Sequence, residues 1–118
     1  MDDDEQLRQA AGRALVRLGY TAAFARTGEE AVALYAGEKV AGKGFDAVVM
    51  DLTVPGGMGA QEAARRLLEL DPEARLVVSS GYARHPLMQE HRTFGFCHRV
   101  VKPYTMEELG RVLQEVLG

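Results

Sequence analysis

Phe45-Asp-Ala-Val-Val-Met50, followed at once by Asp51-Leu52, is the stretch from which the fold can be read. Its second half carries no polar residue, so a strand there has both faces covered, as in a parallel sheet. The run ends on a carboxylate. A second apolar run, Arg75-Leu-Val-Val-Ser79, reads the same way, and a last short strand is expected from Cys97 to Val101. Tyr20 to Ala25, short, aromatic and β-tolerant, is expected as another strand nearer the front of the chain. Helical stripes fill the intervals. Leu7, Ala10, Ala11, Ala14, Leu15 and Leu18 recur at three- and four-residue steps between Glu5 and Leu18, with Gly19 in the capping place. Thr27-Gly-Glu-Glu opens a second helix with Ala31, Val32, Leu34 and Tyr35 inward, and residues 37–44 read as a loop. A turn at 54–59 leads into a third helix carrying Ala63, Ala64, Leu67, Leu68 and Leu70, closed by Asp71-Pro72. Pro86 suits the first turn of a short helix ending near Gly95, and Thr105 with Glu108 forms a capping-box spacing for a final helix to Leu117. Strands alternating with amphipathic helices predict an α/β fold, a parallel sheet with helices on both faces.

With 118 residues, 12.9 kDa, 47% hydrophobic and 26% charged residues, the chain has material for one compact domain. Seventeen acids against 14 bases leave a net charge of −3, and four of the acids are Asp2, Asp3, Asp4 and Glu5. Without that cluster 13 acids face 14 bases, a net of +1. A near-neutral body with an acidic front end excludes a broad basic surface for direct nucleic-acid binding. No apolar run approaches the roughly 18 residues of a membrane span, and acids follow Met1 where a signal peptide has bases, so the expected location is cytoplasmic, with no direct membrane contact. A single cysteine, Cys97, rules out an internal disulfide.

In open α/β sheets the binding crevice lies beyond the carboxyl ends of the strands. The residues expected there are Asp2, Asp3, Asp51, Ser80 and Lys102. Converging carboxylates make a site for a hard divalent cation, and magnesium suits a few carboxylates combined with water and a phosphate. A lysine and a hydroxyl on the same rim would meet other oxygens of a phosphoryl group. Plainer roles compete: Asp4 and Glu5 read as helix-start acids, Ser80 could cap a turn, and Lys102 could be a solvated loop lysine. Asp51 fits the plain role least, because its carboxylate emerges directly from an apolar run.

These residues carry a family resemblance. Met1-Asp-Asp-Asp4, Val48-Val-Met-Asp-Leu-Thr-Val-Pro55, Val77-Val-Ser-Ser-Gly-Tyr82 and Val101-Lys-Pro-Tyr-Thr105 together resemble the receiver domain of two-component signalling, over essentially the whole chain. The wording around Asp51 and Ser79-Ser-Gly-Tyr82 is most similar to the C-terminal receivers of hybrid sensor histidine kinases. The resemblance implies a flavodoxin-like, doubly wound sheet of strand order 2-1-3-4-5 whose first strand is largely absent here, since only Met1 precedes Asp2. It implies one receiver domain over residues 1–118, truncated at its start and without an output domain. Asp51 would be the phosphoacceptor, taking a phosphoryl group from a histidine kinase or its phosphohistidine domain. Asp3, Asp51 and the backbone carbonyl of Thr53 would hold Mg2+, Asp2 would act through metal-bound water, and Ser80 and Lys102 would meet phosphoryl oxygens. Pro103 would shape the Lys102 loop through a cis bond. Such a domain assists its own phosphorylation and dephosphorylation without being a turnover enzyme. Arg99 stands where many receivers have an aromatic residue, which points away from the usual hydroxyl-to-aromatic switch; Met58 stands at a turn position where an acid is common.

Two other readings compete. A receiver-like module could bind partners without phosphorylation, and Asp51-Leu-Thr resembles the start of an aspartyl-nucleophile phosphatase motif that would want an acid in place of Thr53. Deleting a central strand would leave its neighbours about 9.6 Å apart with unpaired backbone groups. The expectation is therefore a chain cut from a longer protein, or a gap filled by another segment or by strand exchange in a homodimer. His85, His91 and His98 lack metal spacing and read as rim histidines, and Gly56-Gly57 reads as a turn.

Overall fold

The computed structural model describes residues 1–42, 44–52 and 59–118. Its elements in chain order are α1 (Glu5–Arg17), α2 (Gly28–Val40), β1 (Val48–Asp51), α3 (Ala60–Leu70), β2 (Leu76–Ser80), α4 (Pro86–Gln89), β3 (His98–Val101) and α5 (Met106–Leu117). The three strands are parallel in the order β1-β2-β3. Helix starts follow side-chain chemistry: Asp4, Thr27 and Thr105 cap α1, α2 and α5 by accepting the N–H groups of Leu7, Glu30 and Glu108.

Alternation along β2 sends side chains to two cores. Leu76 and Val78 pack with Met50, Leu67, Met88 and Phe96 on the side of α2, α3 and α4. Val77 packs with Val100 and Val112 on the side of α5. The parallel sheet is thus covered on both faces, and β2 is buried throughout.

Four sequence expectations change. Residues 20–25 form no strand; among the described residues their bond toward the sheet is Asp2 N–H to the Ala25 carbonyl, 3.0 Å. A ladder needs a run of partners. The place between Ala25 and β1 is held by Met1 and Asp2, where the Met1 amino group donates to the Val49 carbonyl at 2.6 Å and Asp51 N–H donates to the Met1 carbonyl at 2.8 Å. That thin cover leaves Val48 and Val49 only half-buried, not enclosed as the apolar run suggests. Helix α2 continues through Gly37, read from sequence as loop, and stops at Gly42, whose φ of 82° suits glycine. Helix α4 is one turn long; beyond Glu90 the chain makes turns up to Gly95, at φ 93°.

Helix α1 buries no residue fully despite its apolar stripe and packs against α5, where Leu18 lies over Gly110. A Cβ at Gly110 would come within 3.3 Å of the Leu18 side chain.

Candidate functional site

Strand register levels the site. Asp51 pairs with Ser79, and Ser80 pairs with Val101, so the carboxyl ends of all three strands reach one rim. Backbone bonds continue the alignment past the strands: Leu52 N–H donates to the Ser79 carbonyl at 2.8 Å and Lys102 N–H to the Ser80 carbonyl at 2.9 Å. Lys102 is thereby fixed beside Ser80, and the Lys102–Pro103 bond that follows is cis.

Asp51 is 4% exposed. The Lys102 ammonium lies 2.7 Å from Asp2 Oδ2 and 3.3 Å from Asp51 Oδ1. Asp2, Asp3 and Asp51 each offer a carboxylate oxygen within 4.8 Å of the others. Lys102 thus brings positive charge to this group of carboxylates. A donor set made only of oxygens, already attracting a cation, fits a hard divalent ion. Burial opposes the charge on Lys102, but the hydrogen bond it donates to Asp2 and the charge of Asp51 outweigh it, so its pKa stands above the usual lysine value.

Local structure divides the acidic cluster. Asp4 is spent on capping α1, whereas Asp2 faces Lys102 and uses its other oxygen, Oδ1, to accept Asp4 N–H at 3.0 Å. Arg8 donates to the Asp2 carbonyl at 2.8 Å and holds the turn. Asp3 is exposed at the rim. Ser80 is fully buried, and its Oγ accepts Tyr82 N–H at 3.0 Å. Thr53, together with Gly56, Gly57 and Met58, lies outside the described residues.

Sequence reasoning missed Arg8 and Tyr104. Arg8 was readable only as a base in a helix that begins with acids. Tyr104, half-buried, has its pKa raised by burial first and then by the carboxylates of Asp2 and Asp51. Its position two residues after Lys102 was the available signal. The histidines serve elsewhere: His85 caps α4, its Nδ1 accepting Leu87 N–H at 3.1 Å, and His98 pairs with Glu115.

A family model described as the response regulator receiver domain matches residues 1–114. The chain is 29% identical over 120 residues to the sensor kinase CckA of Brucella abortus, covering 99% of this chain but 12% of that protein's length. It is 28% identical over 117 residues to the chemotaxis protein CheY of Thermotoga maritima, covering 98% of this chain and 92% of the relative. Among solved structures, the receiver domain of a Pseudomonas aeruginosa sensor histidine kinase, with a magnesium ion in its active site cleft, aligns over 100% of this chain and 93% of its own. The TM-score is 0.86 at 21% identity, a likeness of fold.

Proposed function

The chain belongs to the response regulator receiver domain family, and from that premise we propose that it is a phosphoacceptor switch in a two-component phosphorelay with Asp51 as the acceptor. The observation that carries this reading is the setting of Asp51: a nearly buried carboxylate at a strand end, faced by Asp2, Asp3 and Lys102.

The donor is a phosphohistidine of a histidine kinase or of its phosphotransfer domain. An Asp51 oxygen attacks phosphorus in line, the new O–P bond forms as the P–N bond breaks, and the electron pair of that bond stays on the departing imidazole nitrogen. Asp2, Asp3 and Asp51 would hold Mg2+, which supplies positive charge to the phosphoryl oxygens when bound. Lys102 exchanges its contact with Asp51 for a phosphoryl oxygen, and the Ser80 hydroxyl donates to another. Fixed groups then face the charge of the transition state. Turning Ser80 toward the phosphoryl group alters its bond with Tyr82 N–H, so the segment leading into α4 responds to phosphorylation.

The test is beryllofluoride binding with magnesium, followed by calorimetry and amide chemical shifts. Saturable binding with shifts at Ser80, Tyr82 and Lys102 is expected, with its loss in Asp51→Asn. Unchanged binding by that variant would overturn the assignment; turnover of a phosphate ester would favour the phosphatase reading.

The described residues contain no helix long and apolar enough to cross a membrane.

A further inference from the structure

The three clustered carboxylates are not held alike. Asp51 ends β1 and is 4% exposed, so the sheet sets its direction. The Asp2 carboxylate is held by Lys102 at 2.7 Å and by Asp4 N–H at 3.0 Å. Asp3 differs. It is exposed, and among the described residues no hydrogen bond or ion pair holds its carboxylate. Its side chain is therefore placed by its backbone, above all by the peptide that joins it to Asp2.

Arg8 fixes that peptide. Its Nη1 donates to the Asp2 carbonyl at 2.8 Å, and this carbonyl and the Asp3 N–H belong to one planar unit. The arginine is tied at its other end too: Arg8 N–H donates to the Asp4 carbonyl at 2.9 Å in the first turn of α1, which Asp4 caps. The half-buried side chain thus loops back over the helix start and links residue 8 to residue 2 across Asp3. Asp2 N–H, bonded to the Ala25 carbonyl at 3.0 Å, closes the other side. A charged donor makes a stronger bond than a neutral one, and the planar guanidinium loses little freedom in making it.

We propose that Arg8 is a positioning residue for metal binding: by holding the Asp2–Asp3 peptide it keeps the Asp3 carboxylate within reach of a divalent ion shared with Asp2 and Asp51. The proposal rests on the metal site of the phosphoacceptor reading. Two roles for Arg8 predict opposite signs. As a cation it repels the ion, so its loss would tighten binding; as the brace of a ligand, its loss weakens binding. The brace prevails. Water screens the repulsion from a guanidinium that is only half-buried, whereas loss of a group that orients a metal ligand typically costs about 10- to 100-fold in affinity.

The experiment titrates magnesium alone, without phosphodonor, into isotope-labelled parent, Arg8→Met and Arg8→Lys, with urea unfolding of each as the control. Magnesium binding about tenfold weaker is expected in Arg8→Met. Arg8→Lys, which keeps a cation and a donor but not the planar fork, should fall between the two, and both metal-free variants should show amide shifts at Asp3 and Asp4. A purely structural role would lower the urea midpoint and leave magnesium affinity unchanged; that result, or tighter binding by folded Arg8→Met, would overturn the proposal. If Arg8→Met does not fold, parental affinity in Arg8→Lys overturns it instead. The parent separates the proposal from the reading beneath it. Binding by the parent that neither variant alters defeats the role of Arg8 alone, whereas no magnesium binding by the parent defeats the metal site as well.

Discussion

The Lys102 ammonium donates to Asp2 across 2.7 Å although 100 positions separate the two residues in the chain. The contact joins the acidic start of α1 to the loop after β3, and the same ammonium reaches Asp51 at 3.3 Å. This lysine places positive charge beside two of the three clustered carboxylates, Asp2 and Asp51.

Replacing Lys102 by Met removes that cation while keeping much of the side-chain volume. The side chains of Lys102 and Asp2 are 20% and 14% exposed, so the loss falls between that of surface and buried pairs, about 1–3 kcal/mol of stability. Urea unfolding at low ionic strength measures it. Magnesium should restore more stability to Lys102→Met than to the parent, because no ammonium competes for the carboxylates. Equal magnesium effects would mean that lysine and metal do not share the site.

Tyr35 → Phe tests a different long-range contact. The Tyr35 hydroxyl donates to Asp71 Oδ2 at 2.8 Å, and burial, then that bond and the Asp71 charge, push its pKa from 10.0 up to about 12. The neutral hydroxyl is favoured in the folded protein, so its contribution is fully present below pH 10 and is lost as pH rises toward about 12. The substitution should cost about 1 kcal/mol at neutral pH and flatten the alkaline fall in stability. Denaturant midpoints of both proteins at neutral and alkaline pH check the size and the slope.

At Gly95 the backbone has φ 93°, and a Cβ would lie 2.6 Å from Leu68 Cδ1. Gly95→Ala should therefore lose about 1–2 kcal/mol from the left-handed conformation, with some further cost from moving Leu68. The turn delivers Phe96, 1% exposed, to the core. A variant as stable as the parent in urea would show that this turn relaxes freely.

Much of this architecture was legible because its causes are local. The runs ending at Asp51 and near Ser80 announce strands by their apolar residues, and Thr27 and Thr105 announce helix starts. The rim of Asp51, Ser80 and Lys102 followed from the rule that parallel strands present their carboxyl ends together. What escaped depends on distant partners. Residues 20–25 have strand-like composition, but strand pairing needs more than the one bond to Asp2 found among the described residues. Gly37 looked like a loop residue because nothing local reveals that an exposed glycine can be carried by a helix capped further on at Gly42. Tyr104 beside the carboxylates, and Arg8 on the Asp2 carbonyl, emerge only when α1 and the chain after β3 are brought together.

Chemical phosphorylation tests the phosphoacceptor role of Asp51 most directly. After incubation with acetyl phosphate and magnesium, intact-mass analysis should find one added phosphoryl group, removable by hydroxylamine as an acyl phosphate and mapped to the peptide containing Asp51. Asp51→Asn should gain none. An adduct of equal yield on Asp51→Asn, or none on the folded parent protein with magnesium present, would contradict the assignment.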